Sequence, residues 1–585
     1  MIQTIDKCGI GLNSDLTPEE LGDGVWTETS NVRFNNGYAE RFKGSIQIFG
    51  VPAVTPYYIT PYTTYLARYF VHAGIAAVYA DVGTTRENIT RLATTAITSI
   101  TCATTTATLT TTAAHGLSNG DTVTIYGATP SQYNGTFVIA GAAGSTFTYT
   151  IASDPGSSAS SVGVLLKPGA ASNPFTGTVD DRWTGGSING VLILNNGVDI
   201  PQYWGGDTAL KLRDIPGWSS NWKAVSMRPF KNFVVALGIT KSGVSYPNMV
   251  KWSNTLNPGS ISAGGDWDET NPGIDAGEQE LAETSDIIVD CLPLGDSNVI
   301  YKERSMYSMQ YIGAPYIFRF QKLPGEYGML APGCGVSTPF GHVVLTAGDV
   351  VLNTGQGVTS IANGIIRSLI FKNIDSTNYK RSFVTSNPQK NEVWVCFPFG
   401  TSETCNKACV WNWIDKSWAV RELSNVTYGA FGQIVGTSSE STWADMAAWQ
   451  VDATSWNENE YSPAEARLLM SHTTPVISLV DTGTTDFDSQ ISAYAQRSGM
   501  TLGDPFAVKF VKSILPKIDG NTGSTISIQV GAAMNPNQVI TWGAPQTFTV
   551  GSTEKIDCSV SGRYIAVRFT NDTYSQWRMK SFGLE

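Results

Sequence analysis

Val191-Leu192-Ile193-Leu194, followed at once by Asn195-Asn196-Gly197, sets four apolar residues against a turn. A short apolar run bounded by residues that tolerate left-handed backbone predicts a buried strand closed by a reversal. The same grammar recurs downstream. Phe233 to Leu237 stops at Gly238, and His342 to Thr346 stops at Ala347-Gly348-Asp349. Helical periodicity is nearly absent, and the clearest candidate, residues 17–21, predicts one short acidic turn opened by Thr17-Pro18. Short strands separated by turns predict an all-β propeller, sandwich or barrel.

The composition agrees. Of 585 residues 42% are hydrophobic and only 15% charged, against roughly 25% charged in an average globular protein. Gly, Ser, Thr and Asn fill the difference. A chain this long buries more than one core, so a large all-β body with smaller modules is expected. The formal net charge is -11, so the surface as a whole repels nucleic acid, which argues against a stable DNA-binding role. A conduit is compatible with that balance, because tight cationic contacts would hinder DNA that must slide. The first residues lack the basic head and apolar stretch of a secretory signal, and no apolar run approaches the ~20 residues of a membrane helix. Synthesis in the host cytoplasm without a membrane anchor is expected. Eight cysteines are too sparse for a disulfide scaffold and read as reduced, buried thiols.

Composition also divides the chain. Residues 93–167 turn abruptly to Thr, Ala, Ser and Gly, and alternate apolar residues with Thr in Ala107-Thr108-Leu109-Thr110 and Thr146-Phe147-Thr148-Tyr149-Thr150. With Asn-Gly-Asp at 119–121 as turn, this predicts an inserted, half-buried β-sandwich. Residues 1–50 read as an N-terminal assembly segment, 51–92 and 168–484 as the two parts of the body, and 485–585 as a C-terminal β-sandwich.

Gly11-Leu12-Asn13-Ser14-Asp15-Leu16, then Gly24-Val25-Trp26-Thr27-Glu28-Thr29-Ser30-Asn31-Val32-Arg33-Phe34 and Gly37-Tyr38-Ala39-Glu40-Arg41, resembles the start of tail-nozzle (tail tubular protein B-like) proteins of short-tailed bacteriophages. Tyr246-Pro247-Asn248-Met249-Val250-Lys251-Trp252-Ser253, Ile300-Tyr301-Lys302-Glu303, Glu392-Val393-Trp394-Val395-Cys396 and Val410-Trp411-Asn412-Trp413 look like further landmarks of the same proteins. The resemblance implies an irregular β-propeller body within the virion tail. It also implies a homo-oligomeric ring, six-fold, below the head-to-tail adaptor, with tail fibres or spikes as further neighbours. The ring's central channel would contact phage DNA transiently while retaining and then releasing it. No family active site comes with these landmarks. Aromatic and Arg residues favour protein interfaces, so Trp26, Asn31, Arg33, Phe34, Glu40 and Arg41 are the interface candidates. The ordinary reading of the same residues is a first strand pair with solvated charges.

Chemistry has little foothold in the sequence. His72, His115, His342 and His472 lie far apart, and Cys405-Asn406-Lys407-Ala408-Cys409, with Cys396 nearby, lacks a second pair to complete a zinc site. Asp180-Asp181 and Asp266-Trp267-Asp268-Glu269 sit among turn residues, where acids usually bind their own backbone. Nucleophile elbow, Walker loop and Rossmann fingerprint are all missing. Trp394, Trp411 and Trp413 alternate within strands and read as core. The expectation is a structural protein that is not an enzyme and needs no cofactor or metal. Two alternatives stay open: a receptor-binding tail protein that adheres to host glycan, and a propeller-fold polysaccharide-cleaving enzyme.

Overall fold

The computed structural model describes residues 2–64, 67–257, 266–434, 466–536 and 538–585, so residues 435–465 of the expected body lie outside it. The fold is all-β: an irregular β-propeller body, an inserted small β-sandwich and a C-terminal β-sandwich. Among the described residues the one α-helix, Arg367–Phe371, is far too short to cross a membrane. The chain divides into two compact units, residues 60–323 and residues 1–59 with 324–585.

Residues 60–323 carry four-stranded antiparallel meanders, the building block of a propeller. The one at 184–214 contains the Val191–Asn195 strand, all five residues buried. The next, at 222–280, corrects one expectation. Phe233–Lys241 does not stop at Gly238 but runs through it, because Gly238 takes φ +61° and shifts the register between Leu237 and Ile239. The glycine is a β-bulge, which bends a strand without ending it. A buried ion pair pins the next meander, at 288–322, to this one: Asp290 accepts from Ser226 Oγ at 2.6 Å and from Arg228 Nε and Nη2 at 2.9 and 2.6 Å.

Seven strands between Thr95 and Leu166 form the insert. In Thr146–Thr150 the alternation works as period two requires, with Phe147 and Tyr149 inside and the threonines outside. Ile100, Leu109, Val123, Ile125, Phe147, Tyr149 and Leu165 make its core. Its two ends lie side by side, Thr95 opposite Leu165 and Leu92 bridged to Ser172.

The second unit holds the meander at 335–360, a thirteen-stranded sheet and a six-stranded sheet. Residues 1–50 are not a separate segment. Val32–Asn35 and Tyr38–Arg41 lie inside the large sheet between Trp418–Gln433 and Trp577–Leu584. Gln3–Ile5 pairs with Trp577–Leu584, Gln3 opposite Leu584, and Glu28–Ser30 forms the edge of the six-stranded sheet beside Ala493–Met500. The two sheets meet through Phe569 and Phe582, with ring centroids 5.5 Å apart, and Trp26 packs edge-on against Phe569.

Candidate functional site: a buried charge network and its cavity

Five of the six interface candidates are interior. Trp26, Asn31, Arg33, Phe34 and Arg41 are each 3% exposed or less, and only Glu40 is half-buried. This corrects the expectation of a contact surface: these side chains are spent within the chain. Trp26 Nε1 donates to Cys8 O at 2.7 Å. Phe34 is core, and its carbonyl accepts from Ser417 Oγ. Glu40 sits opposite Arg33 and Arg578 in the sheet.

Arg33 is the centre of the arrangement. Its Nη1 donates to Asp481 Oδ2 at 2.7 Å, its Nε lies 3.1 Å from Glu392 Oε1, and its plane covers Phe42 at 4.3 Å. Burial alone would weaken the Arg33 charge, but Asp481 and Glu392 overcome that and push its pKa up. The two acids respond in opposite directions. Burial raises Asp481, yet Arg33 at short range pulls it below the ordinary carboxylate range. Burial lifts Glu392 to about 7, with Arg33 opposing and Asp481 reinforcing the rise. One arginine cannot fully compensate two buried carboxylates, and the less closely held one is the more readily protonated. Trp394 Nε1 also donates to Glu392, at 3.1 Å.

Two more arginines lie alongside. Arg41 donates to the carbonyls of Thr484 and Ile491 at 3.1 and 3.2 Å, and burial plus the nearby Arg421 lower it to about 10. Arg421, 3% exposed, donates to Asn31 Oδ1 at 3.3 Å and lies 3.7 Å from Asp486. Burial lowers it too. Asn31 ties the group together: at φ 57° its Nδ2 donates to Ser492 O at 2.7 Å, while Oδ1 also accepts from Glu422 N at 2.9 Å.

Beside this network opens a cavity of about 540 Å³, walled by Asn31, Gln47, Arg421, Glu422, Asp486, Phe487 and Gln490 among others. Loop 481–492 forms one side and is held in place by backbone bonds to the strand beginning at Ser45: Ser45 N to Thr485 O at 2.9 Å, and Phe487 N to Ser45 O at 3.1 Å. A Cβ on Gly44 would lie 1.7 Å from Thr485 O, so only glycine permits that approach. Phe487 and Asp488 both adopt left-handed backbone, φ 49° and 63°, a genuine outlier for a bulky aromatic. His472 stands edge-on to Phe487 at 4.9 Å, with Nδ1 near Ser424 O and Nε2 near Ser478 Oγ. Burial lowers its pKa.

Sequence reasoning missed Glu392, Arg421, Asp481, Asp486 and the cavity. A signal existed for Glu392 alone, a carboxylate inside the wholly buried strand Glu392–Phe397, where a charge demands a partner. The turn reading of the acid clusters describes Asp181, which accepts from Thr178 N and Oγ1, and Asp268, which accepts from Thr270. Glu269 instead pairs with Lys251 at 2.5 Å. Among the described residues no group of three or more His, Cys, Asp or Glu is placed to hold a metal ion.

No family model matches the sequence, and no curated protein is similar to it. Solved structures are similar in architecture. AztD from Citrobacter koseri, in its apo form, is 10% identical over 57% of this chain and 96% of its own, with a TM-score of 0.25. An exo-β-1,3-galactanase from Phanerochaete chrysosporium, with galactose, is 6% identical over 69% of this chain and 95% of its own, with a TM-score of 0.20. A glycoside hydrolase is 10% identical over 68% and 96%, with a TM-score of 0.25. At such values the likeness concerns architecture alone. It nonetheless corrects the expectation that the chain is not an enzyme. Two of these three neighbours are enzymes by name.

Proposed function

We propose that the chain is a subunit of the short tail of a bacteriophage, a nozzle protein whose ring surrounds the path of DNA out of the virion. The observation that carries this reading is where the resembling segments lie. Four of them, 11–16, 24–41, 392–396 and 410–413, converge within one unit, through Leu12 bridged to Trp26, Arg33 on Glu392, and Val393 opposite Trp411, while 246–253 and 300–303 lie in the other unit. Landmarks that meet in a rigid, charge-locked core serve the shape of a subunit, and shape is what an assembly needs. The net charge of -11 suits a wall along which phosphates must slide. Negative-stain electron microscopy of the purified chain, alone and with tailless capsids, tests the reading. Open-centred rings, or a short tube added at the portal vertex, support it; monomers that stay off the vertex count against it.

A second reading is a tail protein that binds, or cleaves, host polysaccharide. The observation in its favour is the polar cavity, whose lining includes Arg421, Glu422 and Asp486, with Asp486 3.7 Å from the Arg421 guanidinium. Binding or degradation of a host polysaccharide by the purified chain tests it.

A further inference from the structure

Resting on that second reading, we infer that the cavity beside Arg421 is a binding site for a neutral sugar, one ring of a longer glycan. Three independent features support a hydroxyl-rich, uncharged ligand.

The first is charge balance. Arg421 lines the cavity and Arg41 stands behind it, both buried. In the lining itself Arg421 stands with Asp486, 3.7 Å away, and Glu422. Arg421 and Asp486 already answer each other's charge, and an anionic ligand would meet the carboxylates and a cationic one the arginine, so a charged group gains little here. The second is the mixture of donors and acceptors. Sugar hydroxyls both give and take hydrogen bonds, and the wall offers carboxylates beside the Arg421 fork and the Gln47 and Gln490 amides. Asp486 is already oriented by Ser424 Oγ at 3.0 Å, and Arg421 by Asn31, so the groups are set before a ligand arrives. The third is Phe487. Its ring reaches the wall from a left-handed backbone that disfavours bulky residues, and strain of this kind collects at ligand sites. An aromatic ring beside polar groups gives the apolar C–H face of a pyranose a surface to stack on. At about 540 Å³ the volume falls within the ~300–1,000 Å³ of small-molecule sites.

Two substitutions remove these contacts, Phe487→Gly also giving up the edge-on packing on His472. Phe487→Gly deletes the ring and relieves the left-handed strain, and Gln490→Ala trims an exposed side chain. The wild-type chain is applied to immobilised neutral, anionic and amino-sugar oligosaccharides, and the best probe is then titrated against wild type and both variants, with thermal melts to verify folding. The expected result is binding of neutral probes, weakened at least tenfold in each folded variant. Neutral probes bound equally by wild type and variants would overturn the assignment of this cavity while leaving a glycan-binding protein. Binding confined to charged probes would overturn the ligand class. Binding to none would overturn both the site and the reading on which it rests.

Discussion

Glu392→Gln isolates the energetic weight of the charge network. The carboxyl is lifted from its ordinary 4.5 to about 7 by burial in the core. At about 1.4 kcal/mol per tenfold change, ionising it in the folded chain costs about 3 kcal/mol more than in the unfolded one. The sign follows from the raised value. Folded Glu392 keeps its proton where the unfolded chain has lost it, so this contribution is fully present below pH 4.5 and disappears as pH rises through 7. Glutamine has the shape of the protonated acid and no titration. The variant is therefore expected within about 1 kcal/mol of wild type at pH 4.5 and to gain about 3 kcal/mol on it by pH 8. Denaturant unfolding followed by tryptophan fluorescence, with Trp394 bonded to the substituted group, reads the difference at each pH. A gap between variant and wild type that stays constant from pH 4.5 to pH 8 would refute the reasoning. Asp481→Asn should show the opposite trend, because Asp481 is held below 3.8: its penalty is full above that pH and shrinks as pH falls further.

Other outcomes follow from the same geometry. Arg33→Met leaves two buried carboxylates without their common cation and should cost about 3–5 kcal/mol at neutral pH, measured by the same unfolding assay. Asp290→Ala removes the acceptor shared by Ser226 and Arg228 and should cost a similar ~3–5 kcal/mol in the unit spanning 60–323, read from protection of its strands against hydrogen exchange. Gly44→Ala forces Thr485 away from the strand beginning at Ser45 and should cost about 1–3 kcal/mol, with a lowered melting temperature. Excising residues 94–170 and joining the ends through a Gly-Ser link should leave the melting temperature of the remainder within a few degrees, since Ala93 N already donates to Ala171 O at 2.8 Å. A large loss would show that the insert supports the body.

The strands were legible in the sequence and the charge network was not, for a physical reason. Alternation such as Thr146–Thr150 is local: each residue carries its own side of the sheet. Gly238 marks the limit of that logic, since a glycine at a turn and a glycine at a bulge have the same sequence and the pairing strand decides. Arg33 and Arg41, flanked by aromatics, carry the composition of an interface. Whether that interface faces another molecule or a distant part of the same chain depends on partners 359 and 448 positions away. The cavity lies further beyond local reading, because its walls come from residues near 31, 47, 421, 472 and 487 and only the finished register assembles them.

The strand Gln3–Ile5 completes its ladder on Trp577–Leu584. During synthesis the opening strand must therefore wait, unpaired, for nearly the whole of the 585-residue chain. At about 5–20 residues per second the wait is on the order of half a minute to two minutes, through which Val32–Asn35 and the Arg33 charge also lack their later partners. A ladder that joins Gln3–Ile5 to Trp577–Leu584 closes only once residue 584 has been made, so this part of the fold is held open through almost all of translation and is set by the last residues of the sheet rather than the first.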